Sequence, residues 1–240
     1  MPKVILVALT VFLASILQGF SGFGYGLALM TALPFFLPIT TATILVSFSS
    51  TFISIYMLGR NWKNYDLKLI IFPLIGSFLF IPIGVFLLNY IDEDILKILL
   101  GVLLVLISIF FLTKREDQLK IKPKASNGIL VGATAGTLNG ILSVGGPPLV
   151  LYFIHAAKDK YNYKASMDLI FLISSIYRLF WLYIYENITS DMAPILITAV
   201  FAGVTGTVLG FNMLIKTERS VITKAIYGIM MLAGISLIFL

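Results

Sequence analysis

The stretch Asn139-Gly140-Ile141-Leu142-Ser143-Val144-Gly145-Gly146-Pro147-Pro148 lies inside an apolar region long enough to enter a membrane, yet it is dense in helix breakers. A near copy stands early in the chain, Gln18-Gly19-Phe20-Ser21-Gly22-Phe23-Gly24-Tyr25-Gly26. At one constant offset Gln18 meets Asn139, Gly19 meets Gly140, Gly22 meets Ser143 and Gly24 meets Gly145. Backbone that cannot stay helical is tolerated in a bilayer only where protein buries it or water lines it. Two such breaks at matching places in two halves are the sequence pointer to a transporter's binding site.

The composition agrees with a membrane. Hydrophobic residues make up 59% of the chain and charged residues 12%, against about 25% charged in an ordinary soluble domain. The mean hydropathy is +1.02. A polytopic membrane protein follows, with no room for a soluble domain. The net charge of +6 is spread over short loops rather than gathered on a face, which excludes nucleic acid as a partner and marks cytoplasmic loops instead. No cysteine is present, so disulfides, thiolate metal sites and thiol nucleophiles are excluded. Residues 4–17 resemble a signal peptide in composition, but they run into the first glycine motif without a cleavage site and are read as part of the mature protein.

Outward from the two motifs, apolar spans and charged breaks alternate. Unbroken helices are expected at 42–58, 69–89, 95–112, 165–185, 192–215 and 221–240, with broken apolar stretches at 4–33 and 127–157. A helix over 69–89 would rise about 31 Å, enough to cross. Basic loops fall at 60–68, 114–124, 158–164 and 216–219, and acidic turns at Asp92 and Glu186. With the basic loops inside, 69–89 runs outward, 192–215 runs inward, and both termini lie outside. The expected fold is an all-α polytopic membrane protein of two inverted repeats. Each repeat is a broken, re-entrant helical hairpin plus three transmembrane helices. The first covers 1–113, a basic cytoplasmic linker covers 114–124, and the second covers 125–240. Gly76 and Gly84 in one helix, and Gly203, Gly206 and Gly210 in the other, are read as close helix-packing positions.

Together these features resemble the TauE/SafE sulfite exporter family, also called toluene sulfonate uptake permeases. The likeness rests on a glycine-rich motif opening each half, the alanine-led helices after Thr41-Ala42-Thr43 and Lys164-Ala165-Ser166, and the ending Leu209-Gly210-Phe211 … Thr217-Glu218-Arg219 … Tyr227-Gly228. The first motif departs from many relatives in reading Gly24-Tyr25-Gly26, and the second in reading Gly146-Pro147-Pro148. The resemblance implies a secondary transporter of small sulfur-containing anions such as sulfite or organosulfonates.

The residues also suit an anion. Proline fits a helix's first turn, so a short helix is expected from Pro147 toward His155, with Gly145 and Gly146 supplying a sharp turn before it. A helix start offers unpaired N–H groups and the positive end of the dipole. Residues 26–33 would do the same from the first half, giving a midplane site worked by alternating access. The expected substrate-binding residues are Gln18, Ser21, Gly22, Gly24, Tyr25, Gly26, Asn139, Ser143, Gly145, Gly146, Pro147 and Arg178. Arg178 either binds the anion or snorkels to the interface. Asp168 is expected in an interfacial salt bridge with Lys164, and His155 at a helix end at the membrane interface. No second histidine, carboxylate pair or phosphate-cradling loop points to an enzyme, and neither metal nor cofactor is expected. Expected partners are a small anion and the lipid bilayer, with homo-oligomerisation left open. The alternatives are a membrane-embedded assembly protein whose glycines serve packing alone, and a passive anion channel.

Overall fold

The computed structural model describes residues 2–21, 23–113, 121–185, 187–213 and 219–239, apart from the side chains of 2, 20, 21, 213 and 219–226. The expectations for Gly22, for the Ser21 side chain and for most of the linker lie outside the described residues. Ten α-helices follow one another: α1 Pro2–Ser21, α2 Tyr25–Ala32, α3 Ile39–Asn61, α4 Leu67–Tyr90, α5 Glu93–Leu112, α6 Ala125–Leu142, α7 Gly146–Ala156, α8 Lys160–Ile184, α9 Ala193–Met213 and α10 Arg219–Ile238. Among the described residues five helical spans are long and apolar enough to cross a membrane, at Ile39–Asn64, Leu67–Tyr90, Glu93–Leu112, Lys160–Ile184 and Ser190–Asn212. Bulky side chains such as Leu79, Ile83, Leu106 and Phe201 stand exposed on their outer faces. In a soluble protein that would be an anomaly; against lipid it is the expected surface. Pro73 and Pro82 sit within α4, a placement that transmembrane helices accommodate.

The two largest helix contacts are α4 with α6 and α1 with α9, followed by α5 with α10 and α3 with α8. Exchanging α1–α5 for α6–α10 in order leaves this pairing unchanged. It maps α1·α9 onto α6·α4, and each of α3·α8 and α5·α10 onto itself. The directions can be read from individual contacts. Along α3 and α8, Asn61 bonds Tyr161 at 2.8 Å, Ser50 meets Ser175 at 2.9 Å and Thr43 meets Arg178 at 3.2 Å. Numbers fall on one helix as they rise on the other, so these equivalent helices run antiparallel. In α5 and α10, a Cβ on Gly101 would meet Gly234 and Ile238, and one on Gly234 would meet Gly101, Leu104 and Val105, which is again antiparallel.

Small residues make the tight pairs possible. A Cβ at Gly84 would lie 2.7 Å from Gly140 Cα, and one at Gly76 2.7 Å from Ala133 N. On the other side, Gly206 faces Phe12 and Ser15, and Gly210 faces Ile16. At these four glycines the packing role holds, since no side chain fits between the backbones, whereas a Cβ at Gly203 would first meet the Ile53 side chain, at 3.0 Å, and not backbone.

Charge separates to the two ends of the bundle. The α3–α4 and α7–α8 loops touch each other through Lys158–Asp66 at 3.3 Å and Asn162 Nδ2 to Asn64 O at 2.8 Å. Asp66 and Asp159 cap the helices that leave this end, accepting from Lys68 N at 3.0 Å and Tyr161 N at 2.8 Å. The α4–α5 turn, with Asp92, Glu93 and Asp94, and the α8–α9 connection, with Asp191, lie at the far ends of those helices.

Candidate anion site

Both breaks occur where the sequence places them, and they touch. A Cβ on Gly26 would run into the Ser143 carbonyl oxygen. Gly24 caps α2 at φ 94°, ψ −4°, in the left-handed region that glycine enters without penalty. The second break turns differently from expectation. Its left-handed residue is Ser143, at φ 59° and ψ 22°, while Gly145 has an ordinary φ of −71°. A left-handed serine is uncommon. Arg178 donates to its hydroxyl, and that hydroxyl approaches Thr43 O at 3.4 Å. Gly145 is needed for packing instead: an added Cβ would lie 2.5 Å from Ala135 O and 2.8 Å from Asn139 Cβ. Gly146 is open, with only Phe171 Cζ near an added Cβ, at 3.8 Å.

A cavity of about 50 Å³ lies between the breaks, walled by Gln18, Gly24, Tyr25 and Gly26 from one side and Asn139, Ser143, Gly145 and Gly146 from the other. One water needs about 10–15 Å³ on this measure, so the space fits a few waters or one small oxyanion. The remaining wall is Leu27 and Val144 beside the breaks, Val46, Ser47, Ser50, Ile53 and Ser54 of α3, and Phe171 and Ser175 of α8. Ser50 and Leu172 are the central residues of these two helices, which sets the cavity at mid-bundle. The starts of α2 and α7 both open onto it. The first amides of a helix lack intrahelical acceptors. Tyr25 N is taken by Gln18 Oε1 at 3.3 Å, which leaves Gly26 and Leu27 as the next amides of α2. On α7, Pro147 and Pro148 carry no N–H, so the amides there are those of Gly145 and Gly146. The Tyr25 hydroxyl points away, donating to Ser49 Oγ at 2.6 Å.

Arg178 is fully buried, which overturns the snorkelling reading. It stands behind the cavity wall, not in it. Nη1 donates to Ser47 Oγ at 2.6 Å and Thr43 O at 3.2 Å, and Nη2 to Gly140 O at 3.0 Å. It thereby ties α8, α3 and the end of α6 together. Lys164, on the same face of α8, donates to Gly19 O at 2.9 Å. Gly19 and Gly140 are the equivalent residues of the two motifs, so each broken helix ends its first arm on a cation from α8. A cation suits a helix's negative C-terminal end, and here it offsets two carbonyl ends that would otherwise repel an anion nearby.

The expected interfacial salt bridge between Asp168 and Lys164 is corrected in part: the charge attraction of Lys164 for Asp168 is there, but the carboxyl is buried rather than interfacial and no hydrogen bond joins the pair. Lys164 reaches the α1 carbonyl, while Asp168 is fully buried and neither of its oxygens has a hydrogen-bond partner among the described residues. His155 stands at the end of α7, as expected, and its side chain is exposed. Pro147 sits buried in the first turn of α7, outside the wall.

A model of the sulfite exporter TauE/SafE family matches residues 7–237. The chain belongs to that family. No curated protein and no solved structure matches it. As a TauE/SafE member it is an integral membrane protein, and the family's activity is transport of sulfite or related sulfur anions, not enzymatic catalysis.

Sequence reasoning missed the serines of α3 and α8. Ser47, Ser50 and Ser54 recur at helical spacing inside an apolar span, a polar stripe that marks a lined cavity. That signal was present; it was masked by the stronger signal of the glycines.

Proposed function

We propose that the cavity at the two breaks holds a small sulfur oxyanion, sulfite in the first instance, and that two inverted halves carry it across by alternating access. One observation carries the reading: two helix N-termini from equivalent places in the chain open onto a single cavity at mid-bundle. Amides and hydroxyls with fixed dipoles bind an oxyanion without a full charge at every contact. The size of the space favours sulfite or sulfoacetate over an aromatic sulfonate. The antiparallel pairing of α3 with α8 and of α5 with α10 supports halves 1–113 and 125–240 of opposite orientation.

Uptake and efflux of labelled sulfite, sulfoacetate and toluenesulfonate in proteoliposomes test the substrate. The two small anions are expected to move and the aromatic one to be excluded. Equal passage of all three down their gradients, without accumulation, would make the protein a passive channel. No response to any oxyanion would leave the breaks as packing devices.

The basic end is assigned to the cytoplasm. Since the chain has no cysteine, single replacements report this cleanly. Asp94→Cys and Ser190→Cys should react with an impermeant maleimide in intact cells, and Lys122→Cys should be protected. Labelling of Asp94→Cys and Ser190→Cys from opposite sides would contradict inverted halves.

A further inference from the structure

One face of α8 carries Lys164, Asp168, Phe171, Ser175 and Arg178, spaced by three or four residues throughout. At about 100° per residue these five stay within roughly 80° of one another. Phe171 and Ser175 line the cavity, Arg178 holds the end of α6 and Lys164 the end of α1. Asp168 is the member of this face without an assigned role. It is 0% exposed and both carboxyl oxygens lack a hydrogen-bond partner among the described residues. The elements packed most extensively on α8 are α3, α4, α7 and the turn Trp62–Asn64, and the ends of α1 and α6 meet it at Gly19 and Gly140, with no titratable side chain at either end. Their titratable and charged side chains are Tyr56, Arg60, Lys63, Lys68, Tyr90, Tyr152 and His155, and none of them bonds either oxygen. Lys164, one turn earlier on α8 itself, is the one cation on this face within a helical turn of Asp168. A bare carboxylate in such a place is very costly, and intramembrane ionisable groups that survive selection mark ion pathways.

We propose that Asp168 is the proton-carrying residue of the transport cycle, binding one proton in the arrangement described here and pairing with Lys164 when it releases it. The step is a simple transfer: the carboxylate takes a proton from water admitted through the cavity and later returns it to water, with no other bond made or broken. The described arrangement is the protonated one, in which Lys164 is left to cap α1 at Gly19. On proton loss, the new carboxylate competes for Lys164 and draws it from the Gly19 carbonyl. The cation that steadies the first break is then withdrawn, so the charge of Asp168 is linked to the geometry of the anion site.

This rests on the transport reading above, and the test separates the two. Purified full-length protein is examined by infrared difference spectroscopy between acidic and alkaline pH, and by sulfite and sulfoacetate transport in proteoliposomes. Wild type should show a protonated-carboxyl band that disappears in Asp168→Asn and returns in Asp168→Glu. Asp168→Asn mimics the protonated side chain, so it should fold and should still exchange labelled for unlabelled anion at near wild-type rate. It should lose accumulation driven by a pH gradient at least tenfold, and Lys164→Gln should lose it as well. A pH-driven accumulation unchanged in Asp168→Asn, or a carboxyl band unchanged by that substitution, would overturn the proposal. A band that behaves as expected with no anion exchange in wild type would instead overturn the transport reading, and with it the coupling role, while the proton site stands.

Discussion

Gly146→Val is expected to abolish sulfite transport, at least a hundredfold, while the protein still inserts and folds. Gly146 is the position at the second break where added bulk enters the cavity without meeting backbone: the nearest atom to a new Cβ is Phe171 Cζ at 3.8 Å. Valine places three carbons in a space of about 50 Å³, room for only a few waters. It also puts a Cβ before Pro147, where helical backbone is disfavoured by the proline ring. Gly146→Ala separates the two effects, since it carries the same backbone cost with one carbon. Alanine should therefore show a similar small loss of melting temperature but an intermediate loss of transport. Gly145→Ala should behave in the opposite sense, losing stability through its clash with Ala135 O, by about 1–3 kcal/mol as for other overpacked sites. Thermal unfolding followed alongside flux distinguishes these cases. Wild-type flux in Gly146→Val would contradict the assignment of the cavity.

Arg178→Gln is expected to have the next largest effect, on stability and transport together. The side chain is fully buried and donates to Ser47, Ser143, Thr43 O and Gly140 O. A hydrogen bond to a charged group is worth about 1.5–3 kcal/mol, so losing several at once should cost at least about 3 kcal/mol. Ser143 would lose its main support in a left-handed conformation, and α6 would end on an uncompensated carbonyl. Arg178→Lys keeps the charge but cannot span Ser47 and Gly140 with one planar fork, so it should fall between wild type and glutamine in both melting temperature and sulfite affinity. A glutamine variant of wild-type stability and flux would show that the strut is dispensable.

Much of this architecture was readable because glycine and proline act locally. The duplicated motifs located both breaks, and the alternation of basic and acidic loops ordered the helices between them. The short helices came out within about a residue of expectation, at Tyr25–Ala32 and Gly146–Ala156. What failed was anything decided by tertiary contact. Gly145 looked like the hinge, yet the hinge is Ser143, because Arg178 from a distant helix stabilises its left-handed turn. Lys164 and Asp168 have the spacing of a helical salt bridge. Their charges attract, yet no hydrogen bond joins them, because Lys164 donates to the α1 carbonyl end, which local spacing does not encode. Arg178 was recognised as an intramembrane charge, but its role as a strut depends on three elements that only folding brings together.

The most direct test uses selenite, which has the shape and charge of sulfite and scatters X-rays anomalously. Crystals of the purified protein grown with selenite should give one anomalous peak between the amides of Gly26 and Leu27 and those of Gly145 and Gly146, displaced by excess sulfite and absent in Gly146→Val. A displaceable peak elsewhere in the protein, with none between the breaks, would contradict an anion site built from two helix N-termini.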